Sequence, residues 1–228
     1  MIRLWTVTCA ALIALGLNAA SIAQQAAPAE APKAAPARPA ETPRVVDTAE
    51  LYKPGPIPEA VMGRDDAPVT IVEYASLTCP HCATFHNKTL PMLKKDYIDT
   101  GKVRFIFRDF PFDVVAMAGS MIARCAPKEK QFDVLAELFA KQEQWAFSKD
   151  PEKDLTKLAL TTGFTQETFD ACLQKQEIYD GVLAVRRRGH EAFQIDSTPT
   201  LFVNGVMYRG ALTPEQMETA LKPHLEKK

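Results

Sequence analysis

"PVTIVEYASLTCPHC", residues 68–82, decides the fold. Its first half is short, apolar and β-branched, which predicts a buried strand over 68–76. Its second half sets two cysteines two residues apart, with Pro80 and His81 between them. Proline suits the first helical position, where its missing N–H leaves no bond unmade. A helix is therefore expected to start at Pro80, with Cys79 as its N-cap. The Cys79 sulfur then faces the free N–H groups of His81 and Cys82 and the positive end of the helix dipole. Both favour a thiolate, and a protonated His81 would add a third favourable charge. Cysteines in such settings have a pKa of roughly 3.5–7.5. Cys79 is the predicted nucleophile. Cys82, one turn further in, is the predicted resolving cysteine.

Working outward, the helix should run from Pro80 to about Thr100, kinked at Pro91. "KVRFIFRDFPF" (102–112) reads as a second strand. Strand, helix, strand makes a βαβ unit, so the two strands should be parallel. From Asp113 to about Phe193 the pattern is helical. Phe132, Leu135, Leu138 and Phe139 share one face. Gly163 is a plausible C-cap, and Thr165 opens the next helix. "RRR" (186–188) reads as a solvated helix face. Strands return in "TPTLFVNGVMYRG" (198–210), around an Asn204-Gly205 turn. A last helix begins at Pro214 with Thr213 as N-cap.

Taking out the helical block leaves βαβ followed by ββα. A C-x-x-C beside a βαβ unit is a thioredoxin-like signal. The predicted class is α/β, a thioredoxin fold with an inserted α-helical domain. The thioredoxin-like part is assigned to 45–112 and 190–228, and the insertion to 113–189.

The N-terminus belongs to neither. Arg3, an apolar run to about Leu17, and "SIA" at 21–23 have the layout of a secretory signal peptide, 1–23, cleaved after Ala23. The apolar run is shorter than the roughly 20 residues that span a bilayer. Residues 24–44, rich in Ala and Pro, lack apolar periodicity and read as a disordered linker. Cleavage removes one base, Arg3, and no acid, leaving 26 basic and 28 acidic residues and a net charge of −2. So balanced a charge argues against a nucleic-acid partner. With Cys9 gone, Cys79, Cys82, Cys125 and Cys172 remain. An even count in an exported chain permits disulfides, and four cysteines allow three pairings.

Two other uses of the C-x-x-C stay open. Cys79, Cys82 and His86 could reach one metal from one helical end, making the chain a metal-binding carrier. No second C-x-x-C or H-x-H supplies further ligands, so no metal site or cofactor is assigned, and His86 is expected on the helix surface. A purely structural staple would close so small a ring that it would constrain the unfolded chain little.

"VEYASLTCPHC", "FRDFPF" and "STPTLFVNG", in this order and with helices between the last two, resemble the DsbA-like thiol:disulfide oxidoreductases. The resemblance covers roughly Ala60 to the C-terminus. It implies that Pro199, after Thr198, is the cis-proline facing the cysteines and that both residues border an extended substrate. It implies that Glu73 is the family's buried acid beneath the active site, with Pro80 and His81 tuning the pair. It implies a second disulfide between Cys125 and Cys172, worth roughly 2–4 kcal/mol. It also implies a periplasmic monomer that oxidises reduced or unfolded exported proteins and is regenerated by a membrane redox partner. Thr198 departs from the DsbA prototype, which has valine there, and also occurs in isomerase and reductase branches. A disulfide isomerase or reductase kept reduced is therefore the alternative.

Overall fold

The computed structural model describes residues 44–226. The signal peptide assigned to 1–23 and nearly all of the 24–44 tract lie outside the described residues. Arg44 already touches the fold: its carbonyl accepts from Met207 N at 2.8 Å.

The elements are α1 (Thr48–Leu51), β1 (Ala60–Met62), β2 (Val69–Ala75), α2 (Pro80–Thr84), α3 (Leu90–Leu93), β3 (Val103–Asp109), α4 (Val114–Cys125), α5 (Gln131–Ala140), α6 (Gln142–Trp145), α7 (Pro151–Thr161), α8 (Gln166–Leu173), α9 (Gln176–Phe193), β4 (Thr200–Val203), β5 (Val206–Arg209) and α10 (Pro214–Leu225). The sheet order is β1-β3-β2-β4-β5. Strands β2 and β3 are parallel, as the βαβ reading requires, and the other pairs are antiparallel. Strand β1 was not legible: three residues carry too little alternation to stand out.

Side chains alternate across a strand, and the two faces of β2 bury different cores. Val69, Ile71 and Ala75 join Cys82, Phe85, Phe105, Phe107 and the helical block. Val72 and Tyr74 join Ile106, Phe202 and, from α9, Val185 and Phe193. Glu73 shares the parity of Ile71 and Ala75, so the pleat aims it at the helix that carries the cysteines.

That helix runs through two π-turns, Phe85–Thr89 and Lys94–Ile98. These turns flank Pro91, where the sequence predicts a kink. Pro91 cannot donate to the ladder, and in the turn before it Leu90 N bonds back to Phe85 O. The Asn204-Gly205 turn is as expected, with φ of 44° and 85°, the pair of positive angles that a tight hairpin needs. "RRR" is only partly a solvated face. Arg187 is exposed, but Arg188 donates to Lys53 O at 2.6 Å, and Arg186 lies over the Phe110 ring. A short N-terminal segment packs there, which no helical pattern could reveal.

Candidate active site

Cys79 caps α2 with extended backbone (φ −86°, ψ 116°), and Pro80 takes the first helical position. Both Cys79 and Cys82 are free thiols. Cys79 is half-buried, whereas Cys82 is fully buried. The Cys79 thiol is lowered to about 5. The main cause is the hydrogen bond from the Cys82 thiol, against which partial burial works. The Thr198 side chain and the N–H groups of Cys82 and His81 add to the lowering. Neither N–H makes a full capping bond to the sulfur, so the second thiol contributes more than the helix end, which was expected from the sequence. Cys82 moves the other way. Burial pushes it well above its ordinary value, helped by its bond to Cys79 and by the charge of Glu73. One cysteine is set to be a thiolate and its neighbour a thiol.

The loop before β4 closes over this pair. Thr198–Pro199 is a cis peptide, and Thr198 O lies 3.3 Å from Cys79 Sγ, from which it accepts while that sulfur carries its proton. Thr200 Oγ1 donates to Ser197 O at 2.8 Å, and Gly210 N to Pro199 O at 2.8 Å, so the loop is held from both sides. His81 and Pro80 are exposed at the helix tip. Beneath, Glu73 is 0% exposed. Its Oε2 lies 2.8 Å from His86 Nε2, and its Oε1 is buried without a partner.

A thioredoxin family model matches residues 57–223. The chain belongs to the thioredoxin family. Within it the chain is DsbA-like. Wolbachia pipientis alpha-DsbA1 superposes with a TM-score of 0.73 at 27% identity, over 79% of this chain and 97% of that one. Disulfide bond formation protein D of Bacillus subtilis is 28% identical over 187 residues, covering 75% of this chain and 78% of its own. A Rickettsia conorii protein, named among protein-disulfide oxidoreductases, is 33% identical over 169 residues. Those are 74% of this chain, which spans 61% of that relative's length.

The DsbA-like site also contains His86, which the sequence offered only as a metal ligand or a surface residue, and others that it did not single out. His86 is not on the surface: it is 7% exposed. It sits four residues after the buried Cys82, and residues four apart share a helix face. That spacing was the available signal. Gln142, at the start of α6, is 3% exposed. Its Nε2 donates to Leu77 O at 2.8 Å and to Cys79 O at 3.0 Å. Asp113 accepts from Thr78 Oγ1 at 2.7 Å while capping α4. Gly119 on α4 leaves room for Trp145 and Leu77 beneath the loop; a Cβ there would lie 2.8 Å from the Trp145 ring.

Cys125 and Cys172 are joined, linking the end of α4 to α8 across 47 residues of sequence. The trio Cys79, Cys82 and His86 does not assemble as a ligand set, because Nε2 of His86 is turned to Glu73. Among the described residues, no three His, Cys, Asp or Glu side chains come together as metal ligands. No helix of the described residues is long and apolar enough to cross a membrane.

Proposed function

We propose that this chain is an exported, periplasmic thiol oxidase that transfers the Cys79–Cys82 disulfide to reduced proteins. The observation that carries the reading is the opposed pair: Cys79 held low and half-exposed, Cys82 held high and buried. A substrate thiolate attacks Cys79 Sγ, the Cys79–Cys82 bond breaks, and Cys82 leaves with the electron pair and takes up a proton. A second substrate thiol, losing its proton, then attacks the substrate sulfur of the mixed disulfide and expels Cys79 as thiolate. The substrate gains a disulfide and the protein becomes a dithiol. Stabilising the Cys79 thiolate favours this reduced product, which makes the disulfide oxidising. A membrane redox partner restores the disulfide.

Unfolded or reduced exported proteins fit the surface beside Cys79. Phe112, Val114 and Tyr179 are three of the six large apolar side chains exposed among the described residues. They line one groove of about 440 Å³ with Met117, Met121 and Leu173. Asp113, in the same groove, bonds Thr78 next to Cys79. Exposed apolar patches of this kind mark binding surfaces, and methionines adapt to varied partners. Pro199 and Thr198 would align the substrate backbone across the site.

Equilibration in glutathione buffers tests the reading. The expected potential lies well above thioredoxin's value of roughly −270 mV. A potential at or below that value, with the pair mostly reduced in cells, would establish the isomerase or reductase alternative instead.

A further inference from the structure

The mechanism leaves His86 unused, although the fold invests heavily in placing it. Its ring is stacked on Phe139, with centroids 3.9 Å apart, and meets Phe107 edge-on at 5.7 Å and Phe85 at 5.8 Å. These apolar walls come from α5, β3 and the cysteine helix itself. Inside the box the ring has one polar contact, Nε2 to Glu73 Oε2 at 2.8 Å. The π-turn Phe85–Thr89 contains His86, and such turns often occur at functional sites. Glu73 in turn faces Phe107 on β3 and Leu201 on β4, both apolar. Arg124, beyond Phe107 and over its ring, is neutralised by Asp109 at 2.6 Å. Among the described residues, the titratable groups on the faces that pack against the couple are Cys82, on which the charge of Glu73 acts, and Asp109, which shares the strand face of Phe107 and is paired with Arg124.

The two carboxylate oxygens of Glu73 are therefore not equivalent. Oε2 is occupied by His86, and Oε1 is buried without a partner. Buried polar atoms without partners are rare and costly. We propose that His86 is a positioning residue for thiol exchange: its Nε2, held against Oε2, fixes the Glu73 carboxyl group and leaves Oε1, which has no partner in the structure, as the oxygen that trades a proton with Cys82. When substrate attack expels Cys82, the proton on Oε1 passes to Cys82 Sγ, and Glu73 becomes a carboxylate still held by His86. When Cys82 instead attacks a mixed disulfide, its thiol proton returns to Oε1 and the partner sulfur leaves. Each direction moves one proton and needs no further reactant.

The inference rests on the assignment of Cys79 and Cys82, and the experiment separates the two. The oxidised full chain is mixed with dithiothreitol, and loss of the Cys79–Cys82 bond is followed by rapid quench between about pH 5 and 8. Variants are compared as ratios to wild type, which cancels the reagent's own ionisation. His86→Leu should slow reduction about tenfold or more, within the range of general acid–base effects, and change the shape of the pH profile. His86→Gln keeps an N–H donor and should recover to within about threefold of wild type. In a Glu73→Gln background, His86→Leu should add nothing, the mark of two residues acting as a unit. The Cys79 alkylation profile of each variant reports whether the active-site loop is intact. A His86→Leu rate and profile equal to wild type would overturn the proposal. So would His86→Gln as slow as His86→Leu, or full additivity with Glu73→Gln. A wild-type disulfide that dithiothreitol reduces without involving Cys79 would instead overturn the assignment of the cysteines.

Discussion

Cys79 with Cys82 and Cys125 with Cys172 are the same side chains in two settings. The first pair stands at a helix start, touches the Thr198 carbonyl, and overlies a buried carboxylate. The second joins the end of α4 to α8 among apolar residues of the helical block. The first bond would close a ring too small to restrain the unfolded chain, so little holds it shut. The second closes a long loop, and opening it releases chain entropy. Reactivity in this molecule is a property of surroundings rather than of sulfur.

The comparison breaks most completely at Cys79. Cys79→Ser should abolish oxidation of a dithiol peptide, while Cys82→Ala should leave substrates trapped as mixed disulfides on non-reducing gels. If no mixed disulfide forms on Cys82→Ala, the two roles are reversed or wrong. The next largest effect is on pH dependence. Iodoacetamide labelling of the reduced protein should titrate with a midpoint of about 5, with Cys82 silent throughout. The Cys79 pKa is lowered on folding, so its thiolate stabilises the reduced fold most above the unfolded-state pKa, roughly 8.5. That contribution is lost as pH falls toward about 5. The melting temperature of the reduced protein, measured against Cys79→Ser, should therefore converge with it on acidification.

Removing the second pair sharpens the contrast from the other side. Cys125→Ser with Cys172→Ser should cost about 2–4 kcal/mol in denaturant unfolding and leave the Cys79 labelling midpoint in place. A moved midpoint would show that the two bonds are coupled. Gln142→Leu strips the donor from two carbonyls beside Cys79 and should cost about 1–3 kcal/mol. The smallest effect is expected at the groove. Val114→Asp should raise KM for an apolar dithiol peptide about twofold to fivefold, the size of a rim contact, and leave reduction by dithiothreitol unchanged.

What was legible in the sequence was whatever local chemistry writes. Pro80 after Cys79 announced the helix start, Asn204-Gly205 the hairpin, and the β-branched runs the parallel strands. The site's deeper parts are written in contacts between distant segments. Glu73 and His86 are 13 residues apart and meet only because a strand faces a helix. Gln142 and Cys79 are 63 apart, and nothing around "QEQW" marks its amide as bound to the cysteine loop. His86 was misplaced because helix-surface statistics outweighed its four-residue offset from Cys82, which the packing then obeyed.

Gln142 also says something about how the molecule can be taken apart. The helical block is inserted in the chain, yet two of the carbonyls that shape the cysteine loop are satisfied from inside it. Cutting the block out and rejoining the strands would remove those donors and bare the apolar floor under Leu77. A shortened, thioredoxin-sized derivative would have to rebuild that floor before it could hold Cys79 in place. The insertion is part of the site's wall, and the boundary visible in the sequence is not a seam along which the protein divides.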